Sequence, residues 1–108
     1  MTIEKTNRIN VLIDFYGGLL NDKQREALQL YYSEDFSLTE IAESTGATKQ
    51  AVSDLLRRSE KNLEKFETVL GLADKEERRA EILEKLAHDY PADTELQAQL
   101  RALRRIDE

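Results

Sequence analysis

The chain contains no cysteine and no tryptophan, a single proline and only four glycines. Without cysteine there is no disulfide and no thiolate metal site, so packing and hydrogen bonds must hold the fold. The scarcity of proline and glycine removes most helix breakers and permits long helical runs. Aromatic residues make up 6% of the chain, which leaves the core mostly aliphatic. No apolar run approaches the roughly 18 residues of a membrane span. Met1-Thr2-Ile3-Glu4-Lys5 also lacks the apolar stretch of a secretory signal. A cytoplasmic protein without membrane contact is therefore expected.

What is abundant is charge. Charged residues reach 35%, against roughly 25% in an average soluble protein, as suits several exposed amphipathic helices. The net charge is −6 over 108 residues, enough for one domain and few for two. An acidic chain makes a poor indiscriminate nucleic-acid binder, because such binding rests on neutralising phosphates. Any contact with nucleic acid must come from a local basic face.

Helical periodicity organises the chain. Ile9, Leu12, Ile13 and Tyr16 form one stripe of a first helix over about residues 3–16, which Gly17-Gly18 should end as glycines beyond a C-terminus do. Asn21, with Gln24 three residues on, predicts a capped second helix burying Ala27, Leu28, Tyr31 and Tyr32. Residues 33–36 read as a polar loop. Ser37-Leu38-Thr39-Glu40 is a capping box that opens a short helix carrying Leu38, Ile41 and Ala42. Thr45-Gly46-Ala47 breaks it, and Thr48 caps a fourth helix free of Gly and Pro as far as Leu70. A fifth helix is expected from Asp74 to His88, carrying Ile82, Leu83, Leu86 and Ala87. Pro91 and Asp93 then introduce a last one with Leu96, Leu100 and Leu103 at i, i+4, i+7. The fold class expected is all-α, with a helical domain over residues 1–70 and a helical extension over 71–108 packed on it.

The window from Leu38 to Arg57 carries the most information. A helix-turn-helix needs two helices crossing steeply at a tight turn. Ala42 is the small residue where they would touch, and Gly46, four residues later, tolerates positive φ in the turn. Ile41, Val52 and Leu55 are spaced to wedge the second helix against the first. A helix-turn-helix is thus predicted over about residues 37–58.

In the second of these helices, Ala51, Val52, Leu55, Leu56, Leu63, Phe66 and Leu70 fall on one arc. Lys49, Gln50, Ser53, Asp54, Arg57 and Lys61 fall opposite, with Arg58 at the flank. Lys, Gln, Ser and Arg in the first turns of such a helix are the types that reach base edges and phosphates. Thr48, Lys49, Gln50, Ser53, Asp54, Arg57, Arg58 and Lys61 are the candidate nucleic-acid-binding residues. Asp54 would repel a phosphate, and charged outer faces also serve solubility. The residues alone leave nucleic-acid contact and a protein-docking or structural face both open.

Several motifs in order resemble the YlxM family of small bacterial helix-turn-helix proteins. They are Glu4-Lys5-Thr6-Asn7-Arg8-Ile9-Asn10, Asp14-Phe15-Tyr16, Leu20-Asn21-Asp22-Lys23-Gln24-Arg25, Leu30-Tyr31-Tyr32, Ser37-Leu38-Thr39-Glu40-Ile41-Ala42-Glu43 and Lys49-Gln50-Ala51-Val52-Ser53-Asp54. The resemblance implies a helix-turn-helix similar to region 4 of sigma factors, with a long recognition helix and two further C-terminal helices. It also implies a link to the signal recognition particle pathway, through the particle's RNA or its GTPase.

Nothing in the chain suggests catalysis. The single histidine, His88, precedes Asp89, but adjacent residues on a helix do not face each other. A histidine near a helix C-terminus is favoured by the dipole alone. There is no phosphate-cradling loop and no metal-ligand spacing. Glu76, Glu77, Glu81 and Glu84 interleave with Arg78, Arg79 and Lys85 as a solvated face. A non-enzymatic protein without cofactors is expected. Three functional readings follow: a regulator in the signal recognition particle pathway, a sequence-specific DNA-binding transcription regulator, and a helical interaction scaffold that could form a homodimer through its C-terminal leucines.

Overall fold

In the computed structural model, which describes residues 2–106, the first helix starts where Thr2 accepts a hydrogen bond from the Lys5 N–H at 3.0 Å. Helix α1 spans Ile3–Tyr16 and buries Ile9, Leu12, Ile13 and Tyr16, the expected stripe. It ends at the glycines, but not by a left-handed cap. Gly17 has φ −55 and enters a 3₁₀ turn over Gly17–Leu19. A Cβ at Gly17 would meet the Ile13 side chain at 3.4 Å, an ordinary van der Waals contact.

Helix α2 spans Asp22–Leu28 and begins with the reciprocal Asn21–Gln24 capping box. A π-helical turn follows over Gln29–Ser33, where the sequence predicted plain helix and then loop. A π turn fits one extra residue into the coil, and Asn10 on α1 braces it. The Asn10 amide donates to the Tyr32 carbonyl at 3.2 Å and accepts from the Ser33 hydroxyl at 2.9 Å. Ala27, Leu28 and Tyr32 are buried as expected, and Tyr31 is half-buried. Asp35 adopts φ 57, a left-handed conformation that Asp tolerates better than most residues.

Helix α3 (Leu38–Thr45) and helix α4 (Lys49–Leu70) complete the first unit. α4 packs on α1, α2 and α3. Its buried positions are Val52, Leu56, Ser59, Leu63 and Glu67, which recur every three or four residues and define one stripe. This corrects the apolar arc drawn from the sequence. Ala51 and Leu70, at its edges, are exposed, while Ser59 and Glu67 lie inside. Each polar intruder is satisfied. The Ser59 hydroxyl donates to the Leu55 carbonyl at 2.7 Å, and Glu67 accepts from the Tyr16 hydroxyl and from the Ala73 N–H.

Polar contacts line the α1–α4 seam. Arg8 makes a two-pronged contact with Glu64 at 3.2 and 3.3 Å, and Lys5 pairs with Glu60 at 3.1 Å. The Tyr32 hydroxyl also donates to Glu60. The exposed Arg8–Glu64 pair is worth about 0–1 kcal/mol. Burial of the leucines and isoleucines dominates, at roughly 1.5–3 kcal/mol for each large side chain.

The described chain divides into two units, one running to Ala73 and one from Asp74 onward. Helix α5 spans Leu72–Asp89, starting two residues earlier than the sequence suggested. Gly71, at φ 64, ends α4. The Tyr16 hydroxyl and the Glu67 carboxylate then accept from the Leu72 and Ala73 N–H groups, both at 3.0 Å. These side chains satisfy donors that a helix start leaves open.

In the second unit, Asp93 caps helix α6 (Thr94–Arg105), accepting from the Leu96 N–H at 3.0 Å. The Gln97 amide on α6 donates to the Ala87 and Tyr90 carbonyls at 3.1 and 2.9 Å, tying the end of α5 to the start of α6. Leu83 and Leu100 are the buried apolar residues of this unit among those described. The leucine stripe expected on α6 is only partly buried. Leu96 is half-buried, and Leu103 is exposed, as is Ile82 on α5.

Candidate nucleic-acid interface

The corner between α3 and α4 is built from local rules. Ser37 accepts from the Glu40 N–H while the Glu40 carboxylate accepts from the Ser37 N–H, both at 3.1 Å, which starts α3. The Thr45 hydroxyl donates to the Ile41 carbonyl at 2.8 Å. Gly46 follows at φ 76 and closes the helix, its N–H donating to the Ala42 carbonyl at 2.9 Å. No atom lies within 4 Å of where a Gly46 Cβ would stand. The backbone angle, not crowding, calls for glycine here. Thr48 then starts α4 by accepting from the Ala51 N–H at 3.1 Å. Ile41, Ala42 and Val52 are buried at the crossing, with Leu55 packed against them.

This corner directs the first turns of α4 outward. Thr48, Lys49, Gln50, Arg57, Arg58 and Lys61 are exposed, and Ser53 and Asp54 are half-buried. Four of the eight candidates, Gln50, Asp54, Arg57 and Arg58, are brought into contact. The Asp54 carboxylate accepts from the Gln50 amide at 3.1 Å and pairs with the Arg57 guanidinium. The Arg57 hydrogen bond holds the Asp54 carboxyl below its ordinary pKa of 3.8, with Gln50 acting in the same direction. Arg58 flanks the Asp54–Arg57 pair. Its Nε donates to the Asp54 carbonyl at 3.4 Å. It also borders a groove of about 470 Å³ on the other flank of α4, lined among others by Ala27, Ile41, Ala51 and Leu55. Thr48 has its hydroxyl engaged in capping, while Lys49, Ser53 and Lys61 do not join the Asp54 cluster.

The sequence reading did not foresee that Asp54 would tie up two of its neighbours. The signal was present in the spacing. Gln50, Asp54 and Arg57 stand at i, i+4 and i+7, and such side chains meet on a helix.

The amino-acid sequence matches the UPF0122 family, described as "Putative helix-turn-helix protein, YlxM / p13 like", over residues 3–103. This chain belongs to that family. A UPF0122 protein of Streptococcus gordonii is 49% identical over 99% of this chain and 97% of its own length. UPF0122 proteins of Lactococcus lactis and Streptococcus pneumoniae are each 46% identical, over 100% and 99% of this chain and 97% of their own lengths. The UPF0122 match covers the corner at Gly46, α4 with its exposed stripe, and most of α6. Among the described residues no helix is long and apolar enough to cross a membrane, and no group of three or more His, Asp or Glu could hold a metal ion.

Proposed function

We propose that this UPF0122 protein is a non-enzymatic, nucleic-acid-binding regulator that works through the outward face of α4 in the signal recognition particle pathway. The observation that carries the reading is the exposure of Lys49, Gln50, Arg57 and Lys61 along the first four turns of a helix launched from a tight corner. Residues 48–61 hold four basic side chains against two acidic ones in a chain of net charge −6. The positive end of the α4 dipole lies beside Lys49 and adds to the local attraction for phosphate. The resemblance to YlxM supplies the pathway, with the particle's RNA and its GTPase as partners.

A second reading is a sequence-specific DNA-binding transcription regulator. The exposed outer face of α4 favours it, because the major groove of B-form DNA admits a helix. The major groove of an RNA duplex is too deep and narrow for side chains to read. A third is a helical scaffold that dimerises through its C-terminal helices, favoured by the exposure of Ile82, Leu103 and Ile106.

One experiment separates the three. Titration of the intact protein against labelled duplex DNA, the particle RNA and the particle GTPase, at equal and moderate salt, should give saturable binding to RNA or GTPase for the first reading. Binding to duplex alone selects the second. Failure of all three ligands, together with a dimer mass by light scattering, selects the third.

A further inference from the structure

We propose that Asp54 is a specificity-determining residue of the α4 face, a built-in brake on indiscriminate phosphate binding; this rests on the nucleic-acid reading above. In the free protein its carboxylate engages the two most versatile base-reading side chains of the stripe, Gln50 at 3.1 Å and Arg57 by an ion pair. Asp54 and Arg57 are 44% and 59% exposed at the side chain. The pair is a surface contact that a ligand can open at little cost. Opening it is not the obstacle.

The obstacle is what remains. Once Arg57 turns to a phosphate, Asp54 stands uncompensated on the same stripe, between Gln50 and Arg57, facing a polyanion. Like charges so placed oppose every sequence equally, so Asp54 lowers the background affinity. It is relieved only where the ligand offers a donor. In the major groove the exocyclic amino group of cytosine is such a donor for a carboxylate. A site with that amino group opposite Asp54 therefore compensates the carboxylate, and a site without it leaves the repulsion in place. Lys49, Ser53 and Lys61 stand outside the cluster and supply contacts that do not discriminate.

The test compares the intact protein with Asp54→Asn, Arg57→Ala and the double variant on a 24-base-pair duplex of random sequence, across a salt series. Both positions are at least partly exposed, and melting curves establish that each variant is folded. Neutralising one further phosphate steepens the dependence of log K on log salt by about 0.9 and raises affinity roughly eightfold at 0.1 M salt. Asp54→Asn should show a gain of that order, and adding it to Arg57→Ala should raise affinity at least as much, because the carboxylate without its partner repels the polyanion there too. Equal affinity and equal salt slope for wild type and Asp54→Asn would overturn the brake while leaving nucleic-acid binding intact. A gain that vanishes in the Arg57→Ala background would mean that Asp54 acts only by holding Arg57, and would overturn the brake. Absence of binding by both wild type and Asp54→Asn at 20 mM salt, on a duplex and on the particle RNA alike, would overturn the brake and the proposed function together.

Discussion

Tyr16 and Glu67, 51 residues apart in sequence, meet in the interior as a hydroxyl and a carboxylate sharing one hydrogen bond. Both also accept backbone N–H groups at the start of α5. The pair therefore joins the end of α1, the last turns of α4 and the first turn of α5. Removing one partner of such a network leaves buried donors unmatched. Glu67→Ala should destabilise the fold by about 1–3 kcal/mol in urea denaturation. Glu67→Gln, whose amide oxygen still accepts, should lose less. A Glu67→Ala variant as stable as wild type would show that the network is dispensable.

The same burial sets an alkaline limit. Desolvation first, and then the hydrogen bond to Glu67, holds the Tyr16 hydroxyl above its ordinary pKa of 10.0. Desolvation and the bond to Glu60 do the same for Tyr32. A group whose pKa is raised on folding keeps its stabilising effect below the unfolded value and loses it as pH rises. The fold should hold steady up to about pH 10 and weaken above it. Helical circular dichroism and phenolate absorbance, followed together, check this. Two of the four tyrosines should ionise only as ellipticity falls.

Gly46 invites a backbone test. An L side chain at φ 76 carries strain of roughly 1–2 kcal/mol. Gly46→Ala should lower stability by about that much, although there is room for the methyl group. Gly46→Asn should recover part of the loss, since asparagine visits this region more readily. Chemical denaturation of the two variants ranks them, and an unchanged midpoint for Gly46→Ala would contradict the strain argument.

How far such positions could be read in advance depended on what each residue needed. Asn21, Ser37, Thr48 and Asp93 act through their own side chains on N–H groups two or three residues away. Those helix starts were therefore visible as local spacing. Gly46 was visible for the same reason. The π turn at Gln29–Ser33 was not, because its brace is Asn10, distant in sequence. Ser59 and Glu67 escaped because a hydropathy wheel places polar residues outside. Only the position of Tyr16 and of the α5 start shows how Glu67 is satisfied. Of the eight candidate contacts, six are exposed as the outward arc suggested, whereas Ser53 and Asp54 are half-buried. The capture of Gln50 and Arg57 by Asp54 required asking which outward residues would find each other.

The α4 face makes a prediction about ranking. Lys49 stands outside the Asp54 cluster, whereas Arg57 is already paired. Lys49→Ala should cost more nucleic-acid affinity than Arg57→Ala and should reduce the salt slope by about 0.9. Fluorescence anisotropy across a salt series measures both. The reverse ranking would mean that Arg57 carries the larger share of contact despite its pairing with Asp54.

Acid reaches the same face. Because Arg57 and Gln50 hold the Asp54 carboxyl below its ordinary value, the cluster is complete at neutral pH and is lost only as pH falls through that lowered value. The Asp54 carboxyl resonance, followed by NMR in wild type and Arg57→Ala, should titrate at higher pH in the variant. Identical midpoints would mean that the ion pair does not persist in solution.

Helix α4 is one unbroken piece of 22 residues, about 33 Å long. Its first turns face solvent, and Glu67 near its far end seats the first turn of α5. An unkinked helix has no hinge at which to absorb a push. The helix thus runs without a break from the Gly46 corner to the residues that seat the α5 start, so one element carries both ends of the unit's architecture.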